Sequence, residues 1–134
     1  MKSVSGMHTA LYRASAGRIG SRVQGMPVLL LTTTGRRSGK PRTTPLLYVR
    51  EGDTIVVVAS NGGSDSSPAW WLNLRSDPHV EVEIGRARTR VTARKASPEE
   101  RVRLWAEFTS GFPGYAKYAT KTAREIPVVM LEPR

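Results

Sequence analysis

A chain of 134 residues holds one compact domain, which buries roughly 65–70% of the surface its unfolded chain exposes and needs no staple. With no cysteine, and with His8 and His79 far apart, disulfides and thiolate metal sites are excluded and no metal is expected. The net charge of +10 calls for an anionic partner, with nucleic acid, an acidic membrane and a polyanionic cofactor all open.

Residues 1–26 read as a poorly specified N-terminal helix or arm. Leu11, Tyr12, Ile19 and Val23 form a ragged stripe that Gly17, Gly20 and Gly25 weaken. No run approaches the roughly 20 apolar residues of a membrane span, and no apolar leader is present, so a cytoplasmic protein is expected. The basic N-terminus would suit peripheral contact with an acidic membrane.

From Pro27 to Arg134 the chain reads as one domain. Val28 to Thr34 is an apolar, β-branched strand ended by Gly35, and Thr43 to Arg50 is a second. Glu51-Gly52-Asp53 turns it into a third, Thr54 to Ser60. Asn61 to Asp65 is a loop by composition. Ser67-Pro68 opens a short helix with Trp70, Trp71, Leu72 and Leu74, and Asp77-Pro78 stops it. Val80, Val82 and Ile84 alternate with Glu81 and Glu83, and Ala87 to Lys95 is the hairpin partner. Ser97-Pro98-Glu99-Glu100 is the clearest helix start, with Ser97 capping and Glu100 bonding back. Val102, Trp105 and Phe108 are placed on one face of that helix. Tyr115 to Thr122 suits another short helix, and Ile126 to Leu131 a final buried strand. About six strands with short links favour antiparallel pairing, hence an antiparallel barrel with a few outer helices.

Four segments carry chemistry. Gly35-Arg36-Arg37-Ser38-Gly39-Lys40-Pro41-Arg42 packs four cations into one hairpin tip with two glycines. Such a turn can aim backbone N–H groups at an anion while arginines grip phosphate or carboxylate. Its glycine spacing is not that of a Walker loop. Ala59-Ser60-Asn61-Gly62-Gly63 is small enough to let a flat ligand approach the backbone. Trp70 and Trp71 point about 100° apart on a helix, so either one packs inward while its neighbour covers a cleft, or both pack at core and rim. Asn73 shares a face with Trp70 and can offer an amide to a polar ring edge. Tyr115 and Tyr118 share a face and can line a cleft. No nucleophile with a paired base and no metal spacing appears, which suits an enzyme that borrows a cofactor's chemistry.

Leu30 to Arg42, Ala59 to Gly63, Pro68 to Leu74 and Ile126-Pro127-Val128-Val129 together resemble the deazaflavin-dependent nitroreductase family. The likeness runs from about Pro27 to Pro133. It implies a split β-barrel related to flavin reductases and the reduced 8-hydroxy-5-deazaflavin coenzyme F-420 as hydride donor. Arg36, Arg37, Ser38 and Gly39, with Arg42, would hold the phosphate and polyglutamate tail. Thr43, Thr44, Pro45, Leu46 and Leu47 would line the deazaflavin. Val58, Ala59, Ser60 and Asn61, with Ala69, Trp70, Trp71, Leu72 and Asn73, would complete the pocket, and Tyr115 would close it. The expected acceptor is a quinone, enone or nitroaromatic, with Tyr115, Tyr118, Ser60 or water supplying the proton.

Three positions depart from the pattern. Arg37 and Asn61 stand where relatives often carry lysine, and Phe112 where the best-known nitroreductase has tyrosine, which speaks against nitroimidazole reduction here. The rival readings are a deazaflavin carrier, an FMN-dependent reductase of the same barrel class, and a nucleic-acid module. The last finds no recognisable motif.

Overall fold

The computed structural model describes residues 22–23, 26–60, 66–111 and 113–134. Most of the expected N-terminal arm, Asn61 and Phe112 lie outside the described residues. Among them run β1 (Arg22–Val23), β2 (Met26–Thr34), β3 (Pro41–Leu47), β4 (Val49–Glu51) and β5 (Thr54–Val58). After these come α1 (Ala69–Ser76), β6 (His79–Ile84), β7 (Ala87–Lys95), α2 (Pro98–Gly111), α3 (Gly114–Thr120) and β8 (Val128–Pro133).

All strand pairings are antiparallel, and the sheet runs β2-β6-β7-β8-β5-β4, with β3 and β1 also on β2. Eight described strands replace the six expected. Two come from Arg22–Val23, which pairs with Pro27 and Met26 instead of joining an arm, and from the division of the second strand at Tyr48. There the Tyr48 N–H continues the β2–β3 register onto the Pro27 carbonyl, 3.1 Å away, but Pro27 has no N–H to return, so the ladder stops and the Tyr48 side chain packs in the core. A single residue therefore joins β3, on β2, to β4, at the far end of the sheet order, which brings the two ends of the sheet together as a barrel requires.

Side-chain alternation divides the core in two. Leu29, Leu31, Val57, Val80, Val82, Val91, Val129 and Leu131 point into the barrel, where Trp70, Trp71 and Leu74 of α1 plug it. Val56, Val58, Val128 and Met130 point outward and are covered by Leu104 and Phe108 of α2 and Tyr115 of α3. Two buried faces suit the apolar runs Val28–Leu31, Ile55–Val58 and Val128–Leu131, whereas β6 alternates, with Glu81 partly exposed and Glu83 buried beside Arg88.

On α2 the buried stripe is Leu104 and Phe108, four apart, with Trp105 packed partly against it. Val102 was expected on that face and is instead 73% exposed, because two residues before Leu104 is about 200° around the helix.

The helix start is as the sequence reads. Glu100 N–H donates to Ser97 Oγ at 3.2 Å, and Ser97 N–H donates to Glu100 Oε1 at 2.9 Å. Arg94 of β7 adds two parallel bonds to the same carboxylate, 2.7 and 2.9 Å. This Arg94 pairing, then the Ser97 N–H, holds the Glu100 carboxyl down at about 2. Its folded pKa lies below the unfolded one, so its stabilisation is present above about pH 4.5 and fades towards pH 2. Glu100→Gln should be less stable than the parent at neutral pH. Urea unfolding along a pH series should show that gap closing between about pH 5 and 2.

Candidate functional site

The barrel closes at one corner and opens away from it. Next to Tyr48, β4 pairs with β5 only across Val49↔Val56 to Glu51↔Thr54. Beyond Val56, the β5 edge at Val57–Ala59 has no β4 partner, while its other edge stays on β8 through Val58↔Val128 and the Ala59 N–H to Pro127 carbonyl bond of 3.0 Å. Running back from the same corner, β3 pairs with β2 on one side alone. Pro45, which has no N–H to give a ladder, sits within β3, as suits an edge strand. β3 and β5 are in contact but share no ladder, so their half-paired edges, Thr43 to Leu47 and Val58 to Ser60, leave a split between them.

Ser60 is the polar residue at that opening. It is 8% exposed, and among the described residues neither its N–H nor its hydroxyl has a hydrogen-bond partner. The direction of the N–H follows from peptide planarity. The Ala59 carbonyl is bonded on the β8 side by Arg124, so the Ser60 N–H on the same peptide points the opposite way, into the split. A buried donor without a partner costs about 1–3 kcal/mol, so this edge suits a ligand with an acceptor to offer.

Along the split the strand residues divide by face. Leu46 packs against the barrel interior, with Ala59. Leu47, Val58, Tyr115 and Tyr118 meet on the helix-covered face, with Tyr115 edge-on to Phe108 (5.5 Å) and to Tyr118 (5.7 Å). Thr43 spends its hydroxyl on Thr32, 2.9 Å across the strand pair. Burial pushes the Tyr115 phenol up to about 12, so it stays neutral and is a poor acid.

The cationic loop stands at the open end. Gly35 and Lys40 close it through Gly35 N–H to Lys40 O, and Gly39 N–H donates to Gly35 O, both 2.8 Å. Gly39 has φ of +71°, and a Cβ on Gly35 would lie 2.7 Å from Ser38 Oγ and 3.2 Å from the Lys40 carbonyl. The positive φ favours glycine at 39, and a side chain at 35 would force the Ser38 hydroxyl and the Lys40 carbonyl to shift. The loop is then tied to α1. Asn73 Oδ1 accepts from the Arg36 N–H (3.2 Å) and guanidinium (3.0 Å), and its Nδ2 donates to Thr33 Oγ1 (3.2 Å).

Two expectations change here. Asn73 gives its amide to the loop and to β2, because at 4% exposure every polar atom on it must find a partner. The loop also spends four N–H groups internally or on Asn73 and Ser38, which leaves Arg37 and Ser38 to offer theirs. Side chains carry the charge instead. Arg36, Arg37, Lys40 and Arg42 are exposed, and none is paired with a carboxylate among the described residues.

Trp70 and Trp71 are both buried in the barrel interior, at 6% and 7% exposure. Trp71 also borders a cleft of about 530 Å³ with Leu74, Arg75, Lys95 and Arg124, separate from the cationic loop. Ala69 is exposed and Leu72 packs at the rim of the core. No cluster of potential metal ligands occurs among the described residues, and no described helix is long and apolar enough to cross a membrane. Arg124, which bonds the Ala59 and Ser60 carbonyls, carries no sequence signal beyond its place before Ile126.

The family of F-420H(2)-dependent quinone reductases matches residues 4–133. An F-420H(2)-dependent quinone reductase of Mycobacterium tuberculosis is 44% identical over 96% of this chain and 89% of its own length. Among solved structures, an F-420-H2 dependent reductase (FDR-A) is 42% identical with a TM-score of 0.73, covering 79% of this chain and 94% of its own. One described as a domain-swapped dimer is 36% identical with a TM-score of 0.74, covering 95% of each chain.

The tie between helix and loop is open to test. Asn73→Ala should leave the barrel folded, lower its stability by about 1–2 kcal/mol and raise hydrogen exchange at the Arg36 amide. Unchanged exchange there would mean the loop is held by other contacts.

Proposed function

We propose, for a chain that belongs to the family of F-420H(2)-dependent quinone reductases, that the split holds the coenzyme ring and passes its hydride to a quinone. Coenzyme F-420 is the cofactor, and the chain is an F-420-dependent reductase with a split-barrel fold. The observation that carries the site is the rigidly braced loop of four carboxylate-free cations at the open end of two half-paired strand edges.

The residues fit the group's chemistry. A tail bearing phosphate and carboxylates meets Arg36, Arg37, Lys40 and Arg42, and the Arg37 and Ser38 N–H groups add to the grip. A flat heterocycle with a polar edge meets the free backbone of β3 and the buried Ser60 donors, with Leu46, Leu47 and Val58 against its apolar parts. When bound, the coenzyme supplies a hydride from its C5 carbon.

The protein's work is positioning. Reacting atoms must come within about 3–3.5 Å, and the two strand edges set that spacing by being continuous with the barrel wall. Asn73 holds the loop so that the tail's charges do not drag the ring out of register. Tyr115, neutral and packed against Phe108, serves as a wall and not as the acid. A reduced quinone needs one proton after the hydride, and water at the open mouth supplies it. The apolar wall of Leu47, Val58 and Tyr115 favours a planar acceptor without charge.

Arg36→Ala with Arg42→Ala should weaken F-420 binding at least a hundredfold in a folded protein, since each charge-assisted bond contributes about 1.5–3 kcal/mol. Fluorescence titration with F-420 and with FMN measures this. Unchanged F-420 affinity, or tighter FMN binding by the parent, would contradict the site. Among quinones, enones and nitroaromatics offered anaerobically with reduced coenzyme, quinones should be turned over fastest. Tyr115→Phe should keep at least a third of the parent rate, because a phenol at about 12 adds little as an acid.

A further inference from the structure

We infer that Arg124 is a positioning residue for the coenzyme ring, acting through the peptide between Ala59 and Ser60; the inference rests on the site proposed above. Its guanidinium donates to the Ala59 carbonyl from Nη1 and Nη2 (both 3.3 Å) and to the Ser60 carbonyl from Nη2 (2.8 Å). These are the first carbonyls past the end of β5, where the ladder to β8 has stopped supplying partners. The planar fork of arginine can reach two successive carbonyls, and a lysine ammonium matches that geometry poorly.

The consequence is directional. With the Ala59 carbonyl fixed on the β8 side, the Ser60 N–H must face the split, and Ser60 is buried with both of its donors unpartnered among the described residues. A cation on the carbonyl also polarises the peptide and strengthens the N–H as a donor. Arg124 is itself braced. Its N–H donates to Thr122 Oγ1 (3.2 Å), and Arg101 of α2 holds the Ile126 carbonyl at 3.1 and 3.3 Å. The ring edge is thus set by a residue 64 positions away in sequence from Ser60, on the opposite side of the strand.

Two ligands separate this role from tail binding: the full coenzyme, and 8-hydroxy-5-deazariboflavin, which has the ring without the charged tail. Arg124→Ala should weaken both by the same factor, about tenfold, and Arg124→Lys by about threefold. Low concentrations of guanidinium chloride, against equal sodium chloride, should restore part of the loss in Arg124→Ala, which a merely structural defect would not show. Arg36→Ala with Arg42→Ala should weaken the full coenzyme alone.

If the loop variant discriminates between the two ligands while folded Arg124→Ala binds both as the parent does, the Arg124 inference fails and the site stands. If Arg124→Ala does not fold, parent-like affinity in Arg124→Lys overturns the inference equally. If the loop variant binds both ligands as the parent does, the site itself is wrong.

Discussion

β3, held on β2, and β4, at the other end of the sheet, are neighbours in sequence and are tied together at one residue. That constraint shapes this protein. β3 and β4 meet at Tyr48, whose N–H crosses to the Pro27 carbonyl and whose ring fills the core. Next to the corner β4 completes β5. Further away it has run out, and the edges of β3 and β5 are each left with one neighbour. Half-paired edges usually invite aggregation, and proteins that keep them either shield them or use them. Here the opening has apolar walls and a buried serine, and a charged loop at its end.

The loop concentrates four cations without carboxylate partners among the described residues into positions 36–42 of a very basic chain. Along β7, Arg88 is matched by Glu81 and Glu83, Arg94 by Glu100 and Glu132, and Lys95 by Glu125. Those pairs are partly exposed and add little to stability, but they offset the charges of Arg88, Arg94 and Lys95. The β2–β3 loop has no such matching among the described residues, and its nearest polar brace is a neutral amide, Asn73. Four unmatched positive side chains on a rigid turn repel one another, and an anionic ligand relieves that repulsion. The same residues would also attract nucleic acid, but the chain carries no recognisable nucleic-acid-binding motif.

Much of this was legible in the sequence wherever a local rule acted alone. The Ser97–Glu100 box, the β6–β7 alternation and the glycine-bounded cationic turn depend on residues within a few positions of one another. Failures came where distant parts decide. The second strand divides at Tyr48 because Pro27, its partner across the sheet, has no N–H to return the bond. Val102 is exposed because only one side of α2 meets the sheet. Asn73 reads as a ligand contact until Arg36 and Thr33 are placed on either side of it. Both tryptophans enter one core because α1 lies across the barrel end and is enclosed on more than one flank. Arg124 was missed for the same reason: its two carbonyl partners are 64 and 65 positions away, and nothing local marks it.

The central claim is where the ring sits. Amide NMR of the protein titrated with oxidised coenzyme F-420 tests it most directly. The largest shifts are expected at Thr43, Leu47, Val58 and Ser60, whose amides face the split, and at Arg37 and Ser38 in the loop. Shifts confined to the cleft beside Trp71, Arg75 and Lys95, with the split edges unmoved, would contradict it.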